Sequence, residues 1–167
     1  MSALRLINET TASSVSSVSI TDVFTTDYDI YKITTKQTGF SGNTSIDGRY
    51  INASGSIIFG SAYDLNRLLL KANTSFSQER TANNNDFRSF GEADDDGATS
   101  VSYIFDPMNS STYTFFYNEN TSSAGYNMKG ISVLKSTVQV AGIHFFTDNG
   151  GTMTNFEAKI YGLRIDV

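Results

Sequence analysis

Short runs of β-branched and aromatic residues, each closed off by Asp, Asn, Ser, Thr or Gly, recur along the whole chain. Branched and aromatic side chains pack well on a pleated surface, and the polar turn formers end each run. The stretch from Ser16 to Gln37 shows the pattern best. Val18, Ile20 and Val23-Phe24 make one run, Tyr28, Ile30, Tyr31 and Ile33 a second, and Thr25-Thr26-Asp27 joins them. This reads as the first hairpin or corner of an antiparallel sheet. The C-terminal run from Phe156 to Val167 has no partner near it in sequence. A terminal strand with unpaired backbone groups is usually tied into a sheet. The first and last strands are therefore expected in one sheet.

Other segments follow the same reading. Leu4-Arg5-Leu6-Ile7 is a short strand or arm, and Asn8–Ser14 a polar link. Asp47-Gly48 is a hairpin-turn signal between Thr38 and Arg49. Leu65, Leu68, Leu69 and Leu70 suit a helical turn or a strand, and periodicity over so short a run separates neither, so one short helix near 63–72 stays open. Glu79–Ala98 is apolar-poor and reads as a long loop, with a short strand at Phe87–Phe90. Val101, Tyr103 and Phe105 pair with Tyr113, Phe115 and Tyr117 across a loop holding the single proline, Pro107. Asn118–Tyr126 reads as another polar loop. Met128–Leu134, Thr137–Phe146 and Phe156–Val167 complete the strands, with a bulge at Ala141-Gly142 and a turn at Asp148–Gly151.

That makes about eight to ten strands at regular spacing. The expected fold is all-β, an antiparallel β-sandwich of jelly-roll type. An N-terminal arm and link (1–14) would precede a single domain (15–167). Twelve Phe and nine Tyr supply much of the core, since hydrophobic residues make up only 39% of the chain.

Charge is sparse, 17% of residues with a net of −5, so the surface must be largely Ser, Thr, Asn and Gly. The acidic balance argues against nucleic-acid binding, which needs cations on phosphates. No apolar run is long enough to insert in a membrane. Met1-Ser2-Ala3 passes directly into Leu4 without a signal-peptide pattern. A secreted-looking surface without an export signal fits a virus particle assembled in a host cytoplasm and released by lysis.

No residue pattern commits to chemistry. The chain has no cysteine. His144, the single histidine, would have to be the base of any Ser/His/Asp triad, and no G-x-S-x-G elbow accompanies it. It reads as a structural or surface residue. Asp94-Asp95-Asp96-Gly97 lacks EF-hand spacing and reads as a solvated acidic turn, with calcium as the alternative. Glu79, Glu92 and these aspartates are the material for a glycosidase pair, which chance acidic residues also mimic. Asn-x-Ser/Thr at Asn8, Asn43, Asn52, Asn73, Asn109 and Asn120 follows from composition. Tyr63, Phe76, Phe87, Phe90 and Tyr126 lie in or beside loops. With Asp95, the residues Tyr63, Phe87, Phe90 and Tyr126 form the candidate glycan or partner contacts. The competing reading packs these aromatics onto the core.

The runs SITDVFTTDYDIYKI (Ser19–Ile33), SAYDLNRLLLKANTSFSQ (Ser61–Gln78), SYIFDPMNSSTYTFFY (Ser102–Tyr117), KGISVLK (Lys129–Lys135) and AKIYGLRI (Ala158–Ile165) resemble a family of small jelly-roll virion structural and tail-fibre-like proteins of tailed phages, marine phages and cyanophages among them. The resemblance spans nearly the whole chain and carries no catalytic motif. It implies a non-enzymatic β-sandwich on a phage particle and no particular position on that particle. The leading reading places the chain on the particle exterior, in a fibre, an appendage or a capsid decoration, without a cofactor, self-assembled into a homo-oligomer such as a trimer beside other virion proteins. The segment up to Ser14 would anchor or exchange a strand. The loops Asn43–Asp47, Arg80–Gly97 and Asn118–Tyr126 would face outward. A carbohydrate-binding receptor-recognition module is the alternative, and a polysaccharide hydrolase the third reading.

Overall fold

The computed structural model describes residues 4–42, 44–72, 75–92, 97–123 and 125–164. They form an antiparallel β-sandwich of jelly-roll type, with no helix among the described residues. The strands are β1 (Leu4–Val15), β2 (Ser17–Ile20), β3 (Ile30–Gln37), β4 (Ser45–Asn52), β5 (Tyr63–Lys71) and β6 (Ser77–Asn84). They continue with β7 (Phe87–Glu92), β8 (Ala98–Phe105), β9 (Thr114–Ser122), β10 (Tyr126–Leu134), β11 (Val140–Thr147) and β12 (Met153–Leu163). A large sheet runs β1-β12-β3-β8-β9-β10-β5-β6, and a small one runs β2-β11-β4-β7. Only β5–β6 and the β8–β9–β10 meander keep consecutive strands in one sheet. Every other connection crosses between sheets, which is what wraps the chain into a roll.

The last strand closes the domain as expected: β12 lies between β1 and β3, with Ile160 opposite Ile33. The stretch from Ser16 to Gln37 is the corner and not the hairpin, because β2 belongs to the small sheet and β3 to the large one. Val23 and Phe24 belong to no strand. Their N–H groups donate to the Ala141 carbonyl at 2.9 and 3.1 Å, and their side chains are buried in the core. The β8–β9 hairpin pairs Phe105 with Phe115. The bulge falls between Val140 and Gly142, where a Cβ on Gly142 would come within 2.4 Å of the Ile20 carbonyl.

Four expectations are corrected. The short helix near 63–72 is strand β5. Tyr63, Leu65 and Leu69 are buried while Asn66 and Leu68 are exposed, a period of two imposed by pairing with β10 and β6 on either side. Asp47-Gly48 is not a turn but the middle of β4. Gly48 is there because the Phe87 and Phe90 rings fill the space a Cβ would need, at 2.5 and 2.7 Å. The arm and polar link over Leu4–Ser14 form β1, hydrogen-bonded to β12 along its length. The loops at Arg80–Gly97 and Asn118–Tyr126 hold β6, β7, the second half of β9 and the start of β10.

The core is a train of rings. Tyr50, Phe87, Phe116, Phe90, Phe145 and Phe156 touch in succession, with centroids 4.6 to 5.5 Å apart. Part of the interior is polar. Thr35 and Ser100 share a 2.6 Å hydrogen bond, and Ser102 donates to Asn118 at 2.8 Å. Bonded in this way, buried hydroxyls and amides cost little.

Candidate functional site

The residues expected at a binding surface are mostly elsewhere. Tyr63, Phe87 and Phe90 are 0% exposed and belong to the core, so they cannot stack on a ligand. The Tyr63 hydroxyl donates to the Ile58 carbonyl and accepts the Tyr50 N–H, both at 3.0 Å. Asp95 and its neighbours, the calcium alternative, lie outside the described residues, as does the Tyr126 side chain. Phe76 is exposed just before β6.

The outer face of the large sheet carries what the loops do not. On β8 the inward positions are Ser100, Ser102 and Ile104, which leaves Val101, Tyr103 and Phe105 pointing out. On β9 the inward Phe116, Asn118 and Asn120 leave Phe115 and Tyr117 pointing out. Strand register aligns these residues across the sheet. One row runs Val133, Phe115, Phe105, Ile30, Leu163, Leu4. The next runs Ile131, Tyr117, Tyr103, Lys32, Tyr161, Leu6. Phe115 is 49% and Ile131 52% exposed. A depression of about 450 Å³ opens between β5, β10 and β9, lined by Asn66, Phe105, Phe115, Tyr117, Ile131 and Val133.

Beside the rows the carboxylates on this face are met by lysines, and Lys32 stands within the second row. Tyr117 donates to Glu119 at 2.6 Å, and Lys129 reaches the same carboxylate at 3.1 Å. The Tyr117 bond, then Lys129, holds the Glu119 carboxyl below its usual range, and the Lys129 ammonium titrates correspondingly higher. Lys135 meets Asp64 at 2.8 Å, and Lys159 meets Glu9 and Glu157 at 3.3 and 3.2 Å. At the far end of the sheet a polar hollow of about 510 Å³ opens among Thr11, Ser13, Lys36 and Glu157.

The small sheet's outer face holds His144. Its Nδ1 shares a 2.8 Å hydrogen bond with Ser19 Oγ, and its ring stacks on Phe146. The Arg49 guanidinium sits 4.2 Å from the Phe146 ring centre. Burial first, then Arg49, pushes His144 below its usual pKa. Among the described residues no carboxylate bonds to the imidazole, so this pair lacks the group that would orient and support a catalytic base. Nearby, Asp47 is buried with Arg88 Nε at 4.0 Å. Burial, followed by the charge of Asp86, raises its pKa to about 7. Arg88 continues to Glu79 at 3.0 Å, and Glu79 to Arg67 at 2.7 Å, an ion chain from β7 through β6 to β5. Glu79 is thus engaged by two guanidiniums, which suits a structural role better than half of a glycosidase pair. No described group of His, Cys, Asp and Glu is arranged to hold a metal ion.

No family model matches the chain, and no curated protein matches it. Among solved structures it is similar to an alginate lyase from Aplysia kurodai, at 7% identity and a TM-score of 0.37 over 86% of this chain and 72% of that one. It is similar to a human SPRY domain at 10% identity and a TM-score of 0.37, over 98% and 88% of the two chains. The alginate lyase Aly36B, in complex with an alginate tetrasaccharide, gives 8% identity and a TM-score of 0.41 over 95% and 81%. Likenesses this distant carry no weight for function.

Proposed function

We propose that the chain is a non-enzymatic structural protein of a phage particle's exterior, acting by assembly and surface binding through the outer face of its large sheet. One observation carries this reading: two adjacent rows of apolar and aromatic side chains run unbroken across six strands apart from Lys32. Scattered surface hydrophobics need no explanation, but a contiguous apolar patch on a chain otherwise covered by Ser, Thr and Asn marks an interaction site. The resemblance to phage virion and tail-fibre-like proteins supplies the setting, in a fibre, an appendage or a capsid decoration. Many copies on one particle let weak single contacts add up. Mass spectrometry of purified particles, with immunogold labelling of intact ones, tests it. The chain should be present and accessible to antibody; its absence from washed particles would overturn the reading.

A second reading, glycan binding, is favoured by one feature. The Tyr103–Tyr117 pair, with ring centres 6.3 Å apart, stands beside the Glu119–Lys129 pair, so a platform for a sugar ring adjoins groups that bond hydroxyls. Glycan-array binding abolished by both Tyr117→Ala and Glu119→Gln is the outcome it requires.

A further inference from the structure

We infer that the apolar face of the large sheet packs against the same face of a second copy across a two-fold axis. This rests on the assembly reading and names the partner. Size is the first argument. Seven strands, β5 to β1 through β10, β9, β8, β3 and β12, contribute to the face. At about 4.8 Å between strands and about 6.8 Å between rows, the two apolar rows on β10, β9, β8, β3, β12 and β1 span roughly 400 Å², and β5 with the neighbouring row of Lys129, Glu119, Val101, Thr34 and Lys159 adds a polar rim that brings the face to roughly 700 Å² before side-chain relief. A standard stable interface buries about 800 Å² per partner.

Charge is the second argument. The chain carries −5, and like-charged copies repel. On this face Glu119 is met by Lys129 and Asp64 by Lys135, while Glu9 and Glu157 share Lys159. Lys32, inside the second row, offsets the remaining carboxylate charge, so a second copy approaches a surface of little net charge. The depression is the third. Asp64 at its rim is already bound by Lys135, and Phe105, Phe115, Ile131 and Val133 wall it. An apolar side chain from the facing copy would meet a mostly apolar wall there, with Asn66 and Tyr117 among the polar groups of the lining. Two sheets meeting this way pack as the layers of a sandwich do, about 10 Å apart. The same patch serves both copies, so the contact closes on itself at two.

Sedimentation velocity on the purified chain, over a range of concentrations, reads the result directly. A dimer is expected. Ile131→Lys and Phe115→Asn should each raise its dissociation constant by about 30-fold or more. Ser17→Lys, on the small sheet, should leave it unchanged. Near-UV circular dichroism like that of the parent shows that the variants are folded. A parent that stays monomeric up to about 1 mM, a dimer indifferent to both face variants, or a monomer that binds glycans through Tyr117 would each overturn the inference. Those results would leave a place on the particle untouched, and absence from the particle would leave the dimer untouched.

Discussion

Asp47 is the carboxylate that burial perturbs most among the described residues. Its carboxyl titrates near 7 in the fold against 3.8 for an unburied aspartate. The folded chain holds that proton more tightly than the unfolded chain does. Stability from this group is therefore intact below about pH 4 and falls as pH rises towards 7, by at most about 4 kcal/mol. Asp47→Asn keeps the shape and removes the charge. Urea denaturation should show the parent losing stability from pH 5 to pH 8 more steeply than the variant; equal slopes would contradict the assignment. Gly48 is a steric counterpart. Gly48→Ala drives a methyl into the Phe87 ring and should cost on the order of 1–3 kcal/mol, read as a lower urea midpoint. Tyr63→Phe strips the partner from the Ile58 carbonyl and the Tyr50 N–H and should cost about 1–3 kcal/mol in the same assay. Loss of ligand binding without loss of stability would instead restore Tyr63 to a surface.

At the scale of elements, what could be read in advance depended on how much apolar signal each strand needed. β3, β8, β11 and β12 were legible because their branched and aromatic runs are long. β1 was not, because an edge strand with few buried side chains can be built from NETTASS; its hydrogen bonds to β12 leave no hydropathy pattern. The second half of β9 was hidden for the opposite reason. Asn118, Asn120 and Ser122 look like a loop yet face the interior, against Ser100, Ser102 and Thr35. The candidate site was missed by parity. Phe87 and Phe90, beside polar runs, suggested exposure, whereas Val101, Tyr103 and Phe105 read as a hairpin arm with no face assigned. The alternation of the β8–β9 hairpin points the other way, because its outward parity carries Val101, Tyr103, Phe105, Phe115 and Tyr117 and its inward parity Ser100, Ser102, Asn118 and Asn120. Removing residues up to Val15 tests β1 as an integral strand. It uncovers the β12 edge and should lower the melting temperature by about 10 °C, on the order of 3 kcal/mol, with aggregation on heating. A free arm would be removed with no change in melting.

For the whole molecule, the two faces of the large sheet divide the labour. The inner face meets the small sheet through the aromatic train from Tyr50 to Phe156, with a polar sector alongside in which Thr35 bonds Ser100 and Ser102 bonds Asn118. The outer face presents the rows centred on Phe115 and Tyr117, with the neighbouring carboxylates met by lysines and Lys32 within the second row. An isolated sandwich has no need for that outer surface, which is why we propose assembly as its function. Cryo-electron microscopy of the intact particle, with the chain fitted into density, tests this most directly. The account predicts the chain on the exterior with Phe115, Ile131 and Tyr103 covered by a second copy. A particle without the chain, or one in which that face stands open to solvent, would contradict it.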